Sequence, residues 1–320
     1  MCCYSYDTSA TEYMVKSCRR LVQLELKSCR ISHPDVSFEQ ILLLAAAVLE
    51  SPSLRKLDIV DCPKLGPKSI THLCEALKDT GVTHLSLEGV DLRNEGLKSL
   101  TQLLRDRDAA GHRIKALSLE GSIFHDRSTV ATDEAPMMAT TEPMQDIVWK
   151  DFVSVACQTL ESLDLSRNQL SRAGQISDLA NGISSRKSPC RLLALLLSNN
   201  PIGDSGMDIL CQGLKRNRTM VLLACAECEL SAQSSHFLTD ALRSNPSLQR
   251  LYLYGNKEWD RTSTNNNEEW KYWMKLNAQG RSLLQSQDFP VELVPLILGR
   301  ISDQTSILHG LLRESPSHVC

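Results

Sequence analysis

The sequence predicts an α/β solenoid, with parallel strands lining a concave face and helices a convex one. Three observations predict it. Eight segments read L-x-x-L-x-L-x-x-(N/C)-x-L, with or without substitutions, and begin at Leu21, Leu54, Val82, Ile114, Leu160, Leu192, Met220 and Leu248. Their starts lie 33, 28, 32, 46, 32, 28 and 28 residues apart, and a recurring period of this size marks a stacked-repeat architecture. Between them run stretches whose apolar residues recur three and four apart, as in Leu97, Leu100, Leu103 and Leu104.

Each segment places a short strand on its x-L-x-L-x stretch. The alternating apolar residues face the core and those between them face outward. Helices are expected at Phe38–Leu49, Ser69–Lys78, Glu95–Arg105, Asp146–Gln158, Gly174–Ile183, Ser205–Lys215 and Ala232–Arg243. Parallel strands joined by helices cross over right-handedly and curve into a horseshoe. The ninth motif position caps backbone groups where the chain leaves the strand. It reads Cys29, Cys62, Val90, Ser122, Asn168, Asn200, Cys228 and Asn256. Val90 cannot hydrogen-bond there, so the third turn must be satisfied in another way.

The one long spacing holds a surplus segment, His125 to Asp146, rich in Thr, Met and Pro and without a clear period. It reads as a flexible loop on one rim. After Asn256 the repeat stops. Glu268–Asn277, Pro290–Ile301 and Thr305–Arg313 then read as helices that close the open end of the core. Trp259, Trp270 and Trp273 fit this cap better than a ligand cage. The organisation is thus an N-terminal extension or cap over 1–20, an array of about eight repeats over 21–258 with the inserted loop at 125–146, and a helical C-terminal cap over 259–320.

Composition narrows the function classes. The 320 residues are 42% hydrophobic with a net charge of −3, enough for a continuous core and too weakly charged to imply a nucleic-acid partner. No run approaches the ~18 apolar residues of a membrane span. The first residues lack the basic and apolar regions of a signal peptide. Cys2 and Cys3 leave acylation open, though a disordered N-terminus is the plainer reading. Asn217-Arg-Thr219 matches a glycosylation acceptor, a chance match in a chain without a secretory signal. Cys29, Cys62 and Cys228 stand where the repeat takes Asn or Cys, Cys225 replaces a core Leu, and Cys74, Cys157 and Cys211 fall on helices. These are thiols used as small hydrophobes, and they place the chain in a reducing compartment, cytoplasm or nucleus.

The period near 28, the strand signature and phrases such as Leu195-Leu-Leu-Ser-Asn-Asn-Pro-Ile-Gly-Asp-Ser-Gly206 resemble the ribonuclease-inhibitor-like class of leucine-rich-repeat proteins, over roughly residues 20 to 258. The stretch Leu276-Asn-Ala-Gln-Gly-Arg281-Ser-Leu-Leu284, followed by an ending at Leu311-Leu-Arg-Glu-Ser-Pro316, is similar to the closing segment of a group of algal leucine-rich-repeat proteins. The class implies protein binding on the concave face; the algal group implies no general function.

Signatures of catalysis are missing: there is no G-x-x-x-x-G-K-[ST] phosphate loop, no H-E-x-x-H and no G-x-S-x-G. No cofactor or metal is expected. His84 stands near Ser86 on the outward face, where a solvated pair is far more common than a catalytic one. Some members of the class resemble the Ran GTPase-activating proteins. Those carry an acidic tail and a long regular array, which this chain lacks.

The outward strand positions form a candidate surface. Its front carries Asp58, Glu88, Glu120 and Asp164 besides Glu25; its back carries Leu196, Leu222, Arg250, Tyr252 and Tyr254 with Ala224 and Ala226. Clustered exposed apolar and aromatic residues mark interaction sites, and Tyr and Arg are favoured anchors. The expectation is a non-catalytic adaptor, inhibitor or scaffold whose protein partner brings a basic segment and an apolar anchor. Two plainer readings stand beside it: the C-terminal cap folds onto the apolar half, or the acidic strands only maintain solubility. A GTPase-activating regulator and a substrate-recognition subunit of a ubiquitin ligase are the alternative functions.

Overall fold

A computed structural model describes residues 28–31, 53–62, 65–122, 142–185, 189–256 and 269–284, with 299, 307, 309, 310 and 313. The chain forms two compact units, Met1–Gln169 and Leu170–Cys320. Each is a stretch of leucine-rich-repeat solenoid in which every repeat supplies one strand, and all but the first supply a described helix.

In the first unit the strands are β1 (Ser28–Ile31), β2 (Lys56–Val60), β3 (His84–Glu88), β4 (Ala116–Ser118) and β5 (Ser162–Asp164), paired in parallel in chain order. Helices α1 (Pro67–Leu77), α2 (Arg93–Ala109) and α3 (Glu142–Thr159) return the chain between them. The alternation works as the pattern requires. Leu57, Ile59, Leu87 and Leu163 on the strands are fully buried, as are Ile70, Leu73, Leu100 and Leu103 on α1 and α2. In the second unit β6 (Ala194–Leu196), β7 (Leu222–Ala224) and β8 (Arg250–Tyr252) pair in parallel. Helices α4 (Ala173–Ile183), α5 (Gly203–Leu214) and α6 (Ser234–Ser244) pack side by side, and α7 (Glu269–Ala278) and α8 (Arg281–Leu284) follow. The close packing of α4 on α5 needs Gly213: a Cβ there would stand 2.6 Å from the Ala180 carbonyl oxygen.

One boundary differs from expectation, and one lies outside the described residues. The first described strand is Ser28–Ile31, with Cys29 opposite Leu57; the expected strand around Leu24 and Leu26 lies outside the described residues. The backbone register places Cys29 and Ile31 one 28-residue step before Leu57 and Ile59, the same step that pairs Lys56 with His84. Helix α3 begins at Glu142, inside the stretch read as loop; Pro143 sits in its first turn, where proline needs no hydrogen bond. The earlier part of that loop, the helix at Phe38–Leu49, Trp259 and most of Pro290–Arg313 lie outside the described residues.

The ninth motif position acts on the repeat before it. Ser122 Oγ donates to the Leu87 carbonyl, Asn168 Nδ2 to Leu119, Cys228 Sγ to Leu197 and Asn256 Nδ2 to Cys225. Each accepting carbonyl is the sixth residue of the preceding motif. Asn256 Oδ1 also accepts from the Cys228 and Leu230 N–H groups. By that pattern Val90 would face the Ile59 carbonyl, to which its apolar and fully buried side chain offers no donor, and Asn200 Nδ2 donates to the Leu197 carbonyl of its own repeat.

A second ladder, on the far side of the helices, has no counterpart in the motif. Asn217 Nδ2 donates to the Ile183 carbonyl, Asn245 Nδ2 to Leu214 and Asn217, and Asn277 Nδ2 to Asn245 and Leu248. The Asn217 and Asn245 oxygens accept the N–H groups that lead into the next strand. Buried Arg107 does this work in the first unit, donating to the Leu77, Thr80 and Val82 carbonyls, and Arg281 serves Leu242 and Arg243. The glycosylation-type Asn217 is thus 2% exposed, with its amide nitrogen committed to the core.

The eighth motif position is left-handed in every described repeat: Asp61, Gly89, Gly121, Arg167, Asn199, Glu227 and Gly255 all have φ between 53° and 75°. Glycine does this freely, while each of the other four stores about 1–2 kcal/mol of strain.

Cys62, Cys74, Cys157, Cys190, Cys211, Cys225 and Cys228 are buried thiols. Burial pushes the Cys74 and Cys211 thiols up, so they stay protonated at neutral pH.

Asp204, in the first turn of α5, accepts hydrogen bonds from the Ser231 N–H and hydroxyl and from the Ser234 hydroxyl. Burial opposes its ionisation, but these bonds prevail and hold the carboxyl below its usual range. Their stabilisation is therefore present above the ordinary carboxylate pKa and disappears as pH falls through the lower folded-state value.

Asn245→Ala is expected to cost about 3 kcal/mol in urea unfolding, because it strands four buried backbone groups. Asp204→Asn should lose about 1–2 kcal/mol near pH 7. That deficit should shrink below about pH 4, as followed by unfolding midpoints over the pH series.

Candidate interaction surface

The outward residues of the first unit form an acidic face. Within β2, Lys56 Nζ lies 2.7 Å from Asp58 Oδ2, and Asp58 is only 9% exposed. Glu88, at the end of β3, accepts from Ser86 Oγ at 2.7 Å and from Ser118 Oγ at 3.2 Å, so one carboxylate ties β3 to β4. Glu120 follows β4 and meets Arg167 Nε at 3.3 Å. Asp164 Oδ1 accepts the Ser166 N–H at 2.8 Å.

Burial and like charge act together on this face. Burial raises the Glu120 carboxyl above its usual range, the Asp164 charge raises it further, Arg167 opposes, and Glu88 and Asp61 add to the rise. Asp61 did not stand out in the sequence. It occupies the left-handed eighth position, which turns it to the rim of the acidic strands. His84 and Ser86 do not pair: the His84 ring bonds Thr83 Oγ1 at 2.9 Å, and the Ser86 hydroxyl is committed to Glu88.

The second unit presents a different face. Register sets Ala194, Leu222 and Arg250 in one row and Leu196, Ala224 and Tyr252 in the next. One turn on, the Ala226 and Tyr254 carbonyls accept from Asn199 and Glu227, which continues the rows to Ser198, Ala226 and Tyr254. Tyr252 and Tyr254 are 44% and 66% exposed, so both rings are open to solvent, while Leu196 and Leu222 are half-buried. Ala224 and Ala226 do not add exposed apolar area as expected; they are buried at 5% and 1%. Each is a small residue flanked in its row by a tall tyrosine, and forms the floor beside it. Leu193, 44% exposed, and half-exposed Val221 extend the apolar area along the row before Ala194. The unbroken apolar run from Leu192 to Leu197 was the signal for Leu193, since such a run cannot bury both faces of a solvent-facing strand.

Arg250 is exposed. Among the described residues, nothing hydrogen-bonds or ion-pairs with the side chains of Arg250, Tyr252 or Tyr254.

Trp273 of α7 stands beside α6 and α8. Trp273 Nε1 donates to Glu269, which also holds Arg243, and the Arg281 guanidinium lies 4.6 Å from the Trp273 ring centroid. Among the described residues no three His, Cys, Asp or Glu side chains gather as a metal site, and no helix is long and apolar enough to cross a membrane.

A leucine-rich-repeat family profile matches residues 156–174, the end of α3 and the strand signature that follows it. The chain is similar to NACHT, LRR and PYD domains-containing protein 5 of Mus musculus, 29% identical over 72% of this chain and 20% of that one. It is similar also to the ribonuclease inhibitor of Sus scrofa, 26% identical over 76% of this chain and 47% of that one. The chain thus spans at most about half the length of these relatives. A Bacteroides fragilis protein of known structure overlaps 80% of this chain and 75% of its own, at 10% identity and a TM-score of 0.46.

The raised Glu120 pKa means that protonation favours the folded state. This contribution is complete below the ordinary carboxylate range and is lost as pH rises through the folded-state value. Glu120→Gln is therefore expected to unfold later than wild type at neutral pH and together with it in acid, read as thermal midpoints across pH. An advantage of equal size at every pH would show that the Glu120 carboxyl is not held above its usual range in the folded state.

Proposed function

We propose that this chain is a non-catalytic protein-interaction module, acting as adaptor, inhibitor or scaffold in the cytoplasm or nucleus, and that its outward strand faces take a protein partner. The second unit's face supplies the anchor, through Leu196, Leu222, Arg250, Tyr252 and Tyr254. The first unit's face, through Asp58, Glu88, Glu120 and Asp164, receives a basic segment.

One observation carries this reading: two tyrosines and an arginine stand exposed and unengaged beside half-buried leucines. A folded protein gains nothing from aromatic rings in water, whereas a partner that covers them gains their area and phenolic hydrogen bonds. The acidic face supports the second half of the reading. Its carboxylates repel one another, and a basic segment would relieve that repulsion while steering encounter. The similarity to ribonuclease inhibitors and to NACHT- and LRR-containing proteins is consistent with a binding module.

The test is affinity purification with quantitative mass spectrometry on three forms of the full chain. Tyr252→Ala with Tyr254→Ala is expected to lose the recovered partner at least about tenfold, the weight of two interface anchors. Glu120→Lys with Asp164→Lys is expected to weaken its capture at low salt. Unchanged recovery by both folded variants would remove the proposal.

A further inference from the structure

We infer that the partner segment seated on the second unit's face carries a carboxylate immediately beside its apolar anchor, and that Arg250 is the cation that receives it. This rests on the reading above that the tyrosine-bearing face is a docking surface.

Charge placement carries the inference. Three cations on or beside the first unit's strands are paired within the chain, Lys56 with Asp58 at 2.7 Å, Lys115 with Glu161 at 3.5 Å and Arg167 with Glu120 at 3.3 Å. Arg243, on the helix side of the second unit, is held by Glu269 at 2.8 Å. Arg250 has no such partner among the described residues. The acidic residue beside these rows is Glu227, and it sits at the other end of the strands. A Cβ on Gly255, five residues past Arg250, would lie 2.6 Å from Glu227 Cγ. The apolar floor therefore lies between an uncompensated cation at the start of β8 and a carboxylate beyond its end.

An apolar side chain resting over Ala224, between Leu196 and Tyr252, lies one row from Arg250, about 7 Å along the strand. A carboxylate on that residue's neighbour comes within reach of the guanidinium, whose planar fork suits two oxygens at once. A neutral or basic neighbour would leave Arg250 desolvated without compensation, which makes the position selective as well as attractive.

The experiment is selection of a displayed random-peptide library on the full wild-type chain, on Arg250→Glu and on Tyr252→Ala/Tyr254→Ala, each first shown to unfold cooperatively. Wild type is expected to enrich peptides in which Asp or Glu adjoins Leu, Ile, Met, Phe or Trp. Arg250→Glu is expected to enrich Lys or Arg at that place. Replacing the acidic residue of a selected synthetic peptide by its amide should weaken binding to wild type about tenfold and leave binding to Arg250→Glu unweakened. Peptides that need the tyrosines but show no acidic preference, or bind Arg250→Glu equally, overturn this inference and leave the docking surface standing. Failure to enrich any peptide, or binding indifferent to the tyrosines, overturns both.

Discussion

The structure depends on one constraint: a carbonyl left in the buried turn that ends a strand needs a donor, and in four described turns that donor comes from the next repeat. Ser122, Asn168, Cys228 and Asn256 each reach back to the sixth-position carbonyl of the repeat before. Unmet, each such group would cost about 1–3 kcal/mol. The bond is therefore both a capping contact and the device that fixes one repeat on another. It sets the parallel register, and register decides which side chains share a row on the outward face. Leu222 stands beside Arg250, and Ala224 beside Tyr252, because β7 and β8 are held in that phase.

The second ladder does the same at the opposite end of the helices. Asn217, Asn245 and Asn277 each join the end of the preceding helix, or its neighbour in the ladder, to the stretch that leads into a strand, and Arg107 and Arg281 reach further with more donors. With both edges of a repeat tied, leucines fill the space between without specifying direction. The left-handed eighth position follows from the same turn. Three glycines fill it without strain, and Asp61, Arg167, Asn199 and Glu227 accept strain there. Asp61, Arg167 and Glu227 all border the outward faces, so the strained positions fall where the surface is chemically distinctive.

Much of the outward surface was legible because strand alternation is a rule of period two. Once Leu195 and Leu197 face the core, Leu196 must face out, and likewise Tyr252 between Leu251 and Leu253. The sequence did not reveal how neighbouring repeats modify one another. Ala224 and Ala226 count as outward apolar residues by alternation, yet they are floor, because the residues beside them in the rows are taller. Ser86 reads as a polar surface residue and is instead a donor to Glu88. Asp61 lies outside the alternating stretch and joins the acidic cluster only through the turn.

The sequence by itself determined the repeat, its strands, most of its helices and the sign of charge on each face, since these follow from local periodicity and residue type. The carbonyls that Asn217, Asn245 and Arg107 serve, and which cations keep partners, came only with the folded chain. Those are distances between residues roughly one repeat apart, and a one-dimensional pattern does not contain them. Arg250 shows the difference: its letter makes it a cation on an outward position, but its lack of a counter-charge appears only when the neighbouring strands are in place.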